Sequence, residues 1–272
     1  MFAVERQKFI VNKTRDQGRV DVATLAELLD VTTETIRRDL SILERQGLVY
    51  RVHGGAVPVE DVSEVPGLRE RTELMAPEKR AIARHAVAHL PLNGSVLLDA
   101  GTTVAQLAAV FPTDRHLTIF SNALVTSEQL AHQASSAVYM IGGIIRPETL
   151  ASVDTWALER LQSLEVDIAF IGAYGVSEHR GFSTPNPSET AVKRAMVKTA
   201  RKKIVLADHS KLGQSHLTVF ASLHEIDLLI TDSNAPRKKI AELRNAGLNI
   251  ELATVGSKKS ARTPRQTLAD GE

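Results

Sequence analysis

The run Leu98 to Thr103 (LDAGTT) sets an acid, a glycine and two hydroxyls between a short apolar stretch and a helical one. Gly101 lets backbone approach a ligand, Thr102 and Thr103 offer hydroxyl donors, and the start of a helix favours an anion. Together with Asp99 these residues have the chemistry of a phosphate cradle. Other apolar runs end in a comparable way. One ends in Ser121 and Asn122, another in Gly142 and Gly143, a third begins beside Asp167 and ends in Gly172, and a fourth ends in Asp208, His209, Ser210 and Lys211. Ligands of open α/β sheets bind outside the carboxyl ends of the strands, so parallel strands here would gather an acid, hydroxyls and a cation on one rim. A small residue after a strand is often only a tight turn, and an Asp there only a cap. The recurrence at several ends is what points to a sugar-phosphate pocket.

A second constellation lies between Val31 and Ala56. Ile36, Leu40 and Leu43 recur at helical spacing and bury one face of a helix that starts at Thr32, whose hydroxyl caps the first turn. At about 100° per residue, Glu34, Arg38, Ser41 and Arg45 lie roughly opposite, with Thr33 and Arg37 on the flank. Just upstream, Ala23 to Asp30 reads as a short helix with Leu25, Leu28 and Leu29 inward, two residues before the next. So tight a pair describes a helix-turn-helix whose second helix is available to the major groove of DNA. Arg37 and Arg38 are the candidates for base or phosphate contacts, and Thr32, Thr33, Glu34 and Thr35 reach the groove edge. Leu48 to Val52 and Ala56 to Val59, turned at Gly54 and Gly55, predict a two-stranded wing that carries Arg51 and His53 to the phosphate backbone.

The elements around these residues predict two domains. Phe2 to Asp16 reads as a first helix packing through Phe2, Phe9 and Ile10, and Gln17 to Asp21 as a turn and short strand able to pair with the wing. Residues 1–59 form the winged helix-turn-helix domain, mostly α with a small β wing, and 60–76 a linker holding Pro66 and Gly67, with a docking turn over Leu68 to Leu74. In 77–255 short apolar runs alternate with helices: Val96 to Leu98, Leu117 to Phe120, Val138 to Ile141, Ile168 to Ile171, Ile204 to Ala207, Leu228 to Thr231 and Ile250 to Leu252. Such a pattern predicts an α/β domain with a mostly parallel sheet. The helices are expected over Pro77 to Leu90, Val104 to Phe111, Ala123 to His132, Thr155 to Leu164, Ser188 to Lys203 and Pro236 to Ala246. The tail, 256–272, is rich in Lys, Arg, Ser and Thr and is expected to be disordered.

Composition bounds the partners. A chain of 272 residues with 43% hydrophobic content can bury two cores, and a net charge of +1 means that DNA contact depends on the placement of charge. Without cysteine there is neither a disulfide scaffold nor a thiolate metal site. His85 and His89 share a helix face, but no carboxylate or third histidine stands at ligand spacing nearby, so neither a metal nor any cofactor is expected. Trp156, the single tryptophan, is expected to pack or line an interface. With 4% aromatic residues the chain offers few stacking platforms for single strands, which leaves duplex DNA as the nucleic-acid partner. No membrane span or secretory pattern is visible, and the expected compartment is the cytoplasm.

The arrangement TxxTIRRDLxxLExxGxxxRxHGGA, from Thr32 to Ala56, closely resembles the N-terminal signature of the DeoR family of bacterial transcription regulators, with Thr32 where the family more often has Ser. The segments LDAGTT, SNA, IGG, DIAFIGAYG, ADHSKLG and IDLLITD resemble that family's C-terminal sensor domain, which is similar to sugar-phosphate isomerases such as ribose-5-phosphate isomerase. The resemblance implies that Gly101, Thr102 and Thr103 hold a phosphate while Asp99, Asn122, Asp208 and Lys211 face the sugar. It also places Glu189 and Lys193, four apart, where they either reach the pocket or form a surface ion pair. Asp154 stands where the family usually has Gly, and a carboxylate facing the pocket there would repel phosphate or alter sugar preference. The expectation is a regulator, a repressor of carbohydrate use, that binds operator DNA as a homo-oligomer and answers to a phosphorylated sugar. The alternative is a sugar-phosphate isomerase or deaminase-like enzyme with an accessory DNA-binding domain, with Glu189 as base and Lys211 as electrostatic stabiliser.

Overall fold

A computed structural model describes residues 3–17, 19–45, 48–52, 54–58, 67–133 and 135–256, and the chain divides into two compact units, Met1–Pro66 and Gly67–Glu272. The expected contacts of Phe2 and the expected disordered tail from residue 257 onward lie outside the described residues.

The first unit holds α1 (Ala3–Gln17), β1 (Val20–Asp21), α2 (Val22–Leu28), α3 (Thr33–Arg45), β2 (Val49–Val52) and β3 (Gly55–Pro58). Ile10, Leu25, Ile36, Leu40, Leu43, Val49 and Ala56 close its core, each no more than 1% exposed. Leu28, expected inward, is instead 52% exposed. In a helix of seven residues Leu25 and Leu29, four apart, define the buried stripe, and Leu28 falls to its side. The connection to α3 is longer than the two residues expected and turns at Asp30, which takes φ 51°. The strands pair antiparallel in the order β1-β3-β2, so the short strand before α2 does join the wing. A side chain at Gly55 would strike the Val20 carbonyl, which explains the glycine where β3 crosses β1. Behind α3, Asp39 accepts from Arg6 Nε at 2.5 Å and from Gln7 Nε2 at 2.9 Å, pinning α1 to the back of the recognition helix.

The second unit begins where the sequence predicts a linker: α4 (Leu68–Glu73) occupies the expected docking turn. After α5 (Ala76–Ala86), extended by a 3₁₀ turn at Val87–His89, all seven expected apolar runs become strands of one sheet. These are β4 (Asn93–Leu98), β5 (His116–Ser121), β6 (Ala137–Met140), β9 (Val166–Gly172), β12 (Ala200–Leu206), β14 (Leu228–Asp232) and β15 (Ile250–Ala253). Their order is β15-β14-β12-β9-β4-β5-β6 and every pairing is parallel. Side chains alternate between two buried faces: Val96, Leu98, Ile168 and Phe170 pack on one, Leu97, Ala169 and Ile171 on the other. A strand covered on both sides reads as an unbroken apolar run, which is why these were visible in the sequence.

The crossover helices are α6 (Thr102–Ala109), α7 (Leu124–Gln133), α8 (Thr155–Gln162), α9 (Pro187–Thr199) and α10 (Arg237–Asn245). The helix expected to run to Lys203 stops at Thr199, because Ala200 already pairs with Val166 as the first rung of β12 on β9. Two small antiparallel additions were not expected: a hairpin of β7 (Ile144–Arg146) with β8 (Ala151–Val153), and a sheet of β10 (Gly175–Ser177), β11 (Gly181–Thr184) and β13 (Thr218–Ala221). Their strands are only three or four residues long, too short to carry a clear apolar alternation.

Candidate functional site

In the first unit, the amphipathic pattern of α3 leaves one face to solvent. Thr33, Glu34, Arg37 and Arg38 are exposed, and Thr35 and Ser41 are half-buried beside them. Thr32 caps the helix: its Oγ1 accepts from the Thr35 N–H at 3.2 Å and meets the Thr35 hydroxyl at 2.9 Å. Arg37 reaches Glu34 at 3.4 Å through an exposed pair, weak enough for the guanidinium to leave for a phosphate. Ser41 donates to the Arg37 carbonyl, so its hydroxyl serves the helix as well as the surface. Arg51 lies on β2 in the wing; its side chain, and all of His53, lie outside the described residues.

In the second unit, the sheet turns from one direction of winding to the other between β4 and β9: β5 and β6 lie on one side, β12, β14 and β15 on the other. Such a switch point opens a crevice at the carboxyl ends of the strands. A cavity of about 280 Å³ fills it, lined by Gly101, Thr102 and Thr103 after β4, by Gly172, Ala173 and Tyr174 after β9, and by Asp208, Ser210 and Lys211 after β12. Gly101 is the residue before α6, so the first amides of that helix face the crevice.

The remaining wall was not foreseen. Arg71 on α4, Leu74 and Met75 in the turn that follows, and Lys79 on α5 close the cavity from the side. Arg71 hydrogen-bonds the Tyr174 hydroxyl, stands 5.3 Å from the centre of that ring, and keeps a buried Nε with no hydrogen-bond partner among the described residues. Burial pushes the Tyr174 phenol up to about 12, so it stays a neutral hydrogen-bonding group. Lys79 is buried and donates to the Arg71 carbonyl; burial, only partly opposed by Asp208, lowers its pKa to about 8. A lysine on the apolar face that holds Ile82, Ala83 and Ala86 was a visible signal. The charged run LRERTE around Arg71 was not.

Several expected site residues sit elsewhere. Asp99 lies beneath the pocket, where it accepts from Lys193 and, at 2.8 Å, from the Gly172 N–H. Burial raises its pKa against the pull of both partners. Asn122 braces two loops, accepting from the Ala100 N–H at 3.0 Å and donating to the Ser152 carbonyl at 3.1 Å. Gly142 and Gly143 follow β6 outside the cavity wall; Gly143 has φ 148° and packs against the Val153 carbonyl, a structural demand of the β7–β8 hairpin. Asp167 stands at the opposite end of β9 and accepts from the Ser95 N–H and hydroxyl, both at 2.8 Å.

Glu189 and Lys193 are neither a surface pair nor paired with each other. Both are buried: Glu189 accepts from Thr149 Oγ1 at 2.8 Å with Arg146 at 3.5 Å, while Lys193 turns to Asp99 and lines the cavity. Asp154 does not line the cavity; it precedes α8 with φ 91° and ψ 175°, backbone that suits glycine. Trp156 is 73% exposed on α8 rather than packed. Finally, His85 and His89 do have a carboxylate beside them, Glu251 on β15, brought from 162 positions away along the chain.

A reading helix with its wing, joined to a sensor built on a doubly wound sheet, is the architecture of a ligand-responsive transcription regulator. Residues 6–62 match the DeoR-like helix-turn-helix domain and residues 75–233 the DeoR C terminal sensor domain; the chain belongs to the DeoR family. It is 35% identical to the HTH-type transcriptional regulator GlpR of Haloferax volcanii, over 92% of this chain and 98% of that one. It is 30% identical to the HTH-type transcriptional regulator GolR of Listeria innocua, over 93% and 100%. It is 34% identical to the HTH-type transcriptional repressor GlcR of Bacillus subtilis, over 85% and 89%. Among solved structures, ribose 5 phosphate isomerase A from Neisseria gonorrhoeae covers 54% of this chain and 55% of its own at 17% identity and TM-score 0.38. The full-length sorbitol operon regulator SorC from Klebsiella pneumoniae covers 87% and 98% at 13% identity and TM-score 0.41. The chain is thus a DNA-binding transcription regulator. The base assigned to the enzymatic alternative, Glu189, lies outside the cavity wall. No helix among the described residues is long and apolar enough to cross a membrane.

Proposed function

We propose that the second unit binds a phosphorylated sugar and that its occupancy controls operator binding by α3. The observation that carries this reading is the composition of the switch-point cavity: the amides and hydroxyls of Gly101 to Thr103 at the start of α6 face Arg71, Lys79, Lys193 and Lys211, with Asp208 the one carboxylate in the wall among the described residues. A helix N-terminus among cations suits a phosphate, and a lone acid braced by Ser210 suits a sugar hydroxyl. A volume just under the usual small-molecule range of about 300–1,000 Å³ favours a short sugar.

Repression is the reading supported by the name of the Bacillus subtilis relative, with effector binding releasing the operator. A short recognition helix makes few base contacts, so the protein is proposed to bind as a homo-oligomer on repeated half-sites. An effector acts only through different affinities for the DNA-competent and incompetent states, and the same coupling must appear from either side.

Thermal melting against a panel of sugar phosphates, each beside its unphosphorylated sugar, tests the proposal. A ligand at about 100 times its dissociation constant stabilises the native state by about 2.7 kcal/mol. The expected result is a shift with one phosphate and none with its parent sugar, followed in gel-shift titration by loss of operator binding. No shift with any member overturns the sugar-phosphate assignment and leaves the DNA-binding unit standing.

A further inference from the structure

At the end of α5 away from Lys79, three side chains converge that play no part in the pocket. His85 and His89 are four residues apart, and their Nε2 atoms lie 2.7 and 2.8 Å from the same oxygen, Oε2 of Glu251. The three candidate ligand atoms all lie within 4.8 Å of one another. The side chains are 36%, 17% and 41% exposed, so an ion reaches them from solvent. We propose that His85, His89 and Glu251 form a zinc site that fastens the end of α5 to β15.

The two imidazoles, His85 on α5 and His89 on the 3₁₀ turn that extends it, present their nitrogens to one point, and a carboxylate from a separate strand supplies the third ligand. Three protein ligands leave the fourth tetrahedral position to water, the pattern of an accessible zinc ion. With bonds of about 2.0–2.2 Å the ligand atoms of a tetrahedral site stand roughly 3.3 Å apart, so binding requires each imidazole nitrogen to draw back from the Glu251 oxygen by about half an ångström. Metal takes the Nε2 lone pairs, so each imidazole keeps its proton on Nδ1 instead. Lys202, exposed and 3.5 Å from His89 Nδ1, is the neighbouring cation and must swing aside as that nitrogen becomes a donor.

The test uses the untagged full-length protein and zinc chloride, with affinity read by competition against a chromogenic chelator and cobalt(II) absorption as a report of geometry. The expected result is one ion per chain, tetrahedral cobalt bands in the visible, and a rise in melting temperature. His89→Gln and Glu251→Gln each weaken binding by more than about tenfold, the loss typical of even an outer partner of a metal site. His179→Gln, at a side chain 84% exposed and remote in sequence, leaves binding unchanged. Circular dichroism establishes that each variant is folded, and His85→Gln replaces either of the first two if it is not. Absence of binding, or a His85→Gln/His89→Gln variant that binds zinc like the wild type, overturns the proposal.

Discussion

Lys193 gives its ammonium to Asp99 and, at 2.9 Å, to the Gly172 carbonyl, and so joins the ends of β4 and β9 beneath the pocket floor. Both side chains of the pair are almost fully buried, at 4% and 2% exposed. Lys193→Met therefore strands a carboxylate in the interior and is expected to cost about 3 kcal/mol in urea denaturation. Adding Asp99→Asn removes the charge that made the loss severe and recovers part of it. Equal stability of wild type and single variant would remove this brace from the account.

Arg38→Ala is expected to lower operator affinity by about 1–3 kcal/mol, roughly 5- to 150-fold, with no change in melting temperature. Anisotropy titration with operator and with an unrelated duplex distinguishes the contact. A base contact weakens only operator binding; a phosphate contact weakens both and lowers the salt slope.

Lys79, with its pKa held at about 8 against an ordinary 10.5, makes effector affinity depend on pH. The ammonium is largely present at pH 7 and lost as pH rises through its folded-state value, whereas a sugar phosphate, with a second pKa near about 6, stays a dianion over that range. A bound anion raises the lysine pKa, so binding takes up a proton and affinity falls above pH 8, by up to about tenfold per pH unit. Calorimetric titration at pH 7, 8 and 9 reads the fall. Lys79→Met binds more weakly at pH 7 and flattens the profile.

Asp154→Gly is expected to stabilise the protein by about 1 kcal/mol, because relief of a backbone conformation worth roughly 1–3 kcal/mol to a non-glycine residue exceeds the entropy that glycine adds to the unfolded chain. Thermal melting checks it, and effector affinity should not move, since Asp154 stands outside the cavity wall.

Where the sequence was legible, one physical constraint dominated. The strands of the large sheet are apolar on both faces and α3 is apolar at period 3.6, so periodicity located the strands and the reading helix, whereas the strand order that makes the switch point was not legible. Residue type at a strand end also located Gly101 to Thr103, Asp208 and Lys211. It could not say which way a polar side chain turns: Asp99 and Asn122 stand at the right rim, yet spend their hydrogen bonds on the protein itself. Asp167 was misassigned for another reason: it stands at the start of its strand, and chain direction alone already puts it at the rim opposite the carboxyl ends. Arg71 was hidden because a short charged helix has no buried stripe to announce it. Glu251 was hidden because nothing in local spacing joins it to two histidines on the other side of the domain's sequence.

The pairing of β4 with β9, and of β14 with β15 at the end of the domain, sets a timetable for the nascent chain. The first unit closes on contacts within its own short span of chain, whereas the β4–β9 pairing must wait for a strand about 70 residues further on. At a synthesis rate of about 5–20 residues per second, the ribosome needs roughly 10–40 s after Pro66 to deliver Ala253 and complete the sheet. During that interval each new molecule carries its helix-turn-helix unit ahead of the last strands of the sheet.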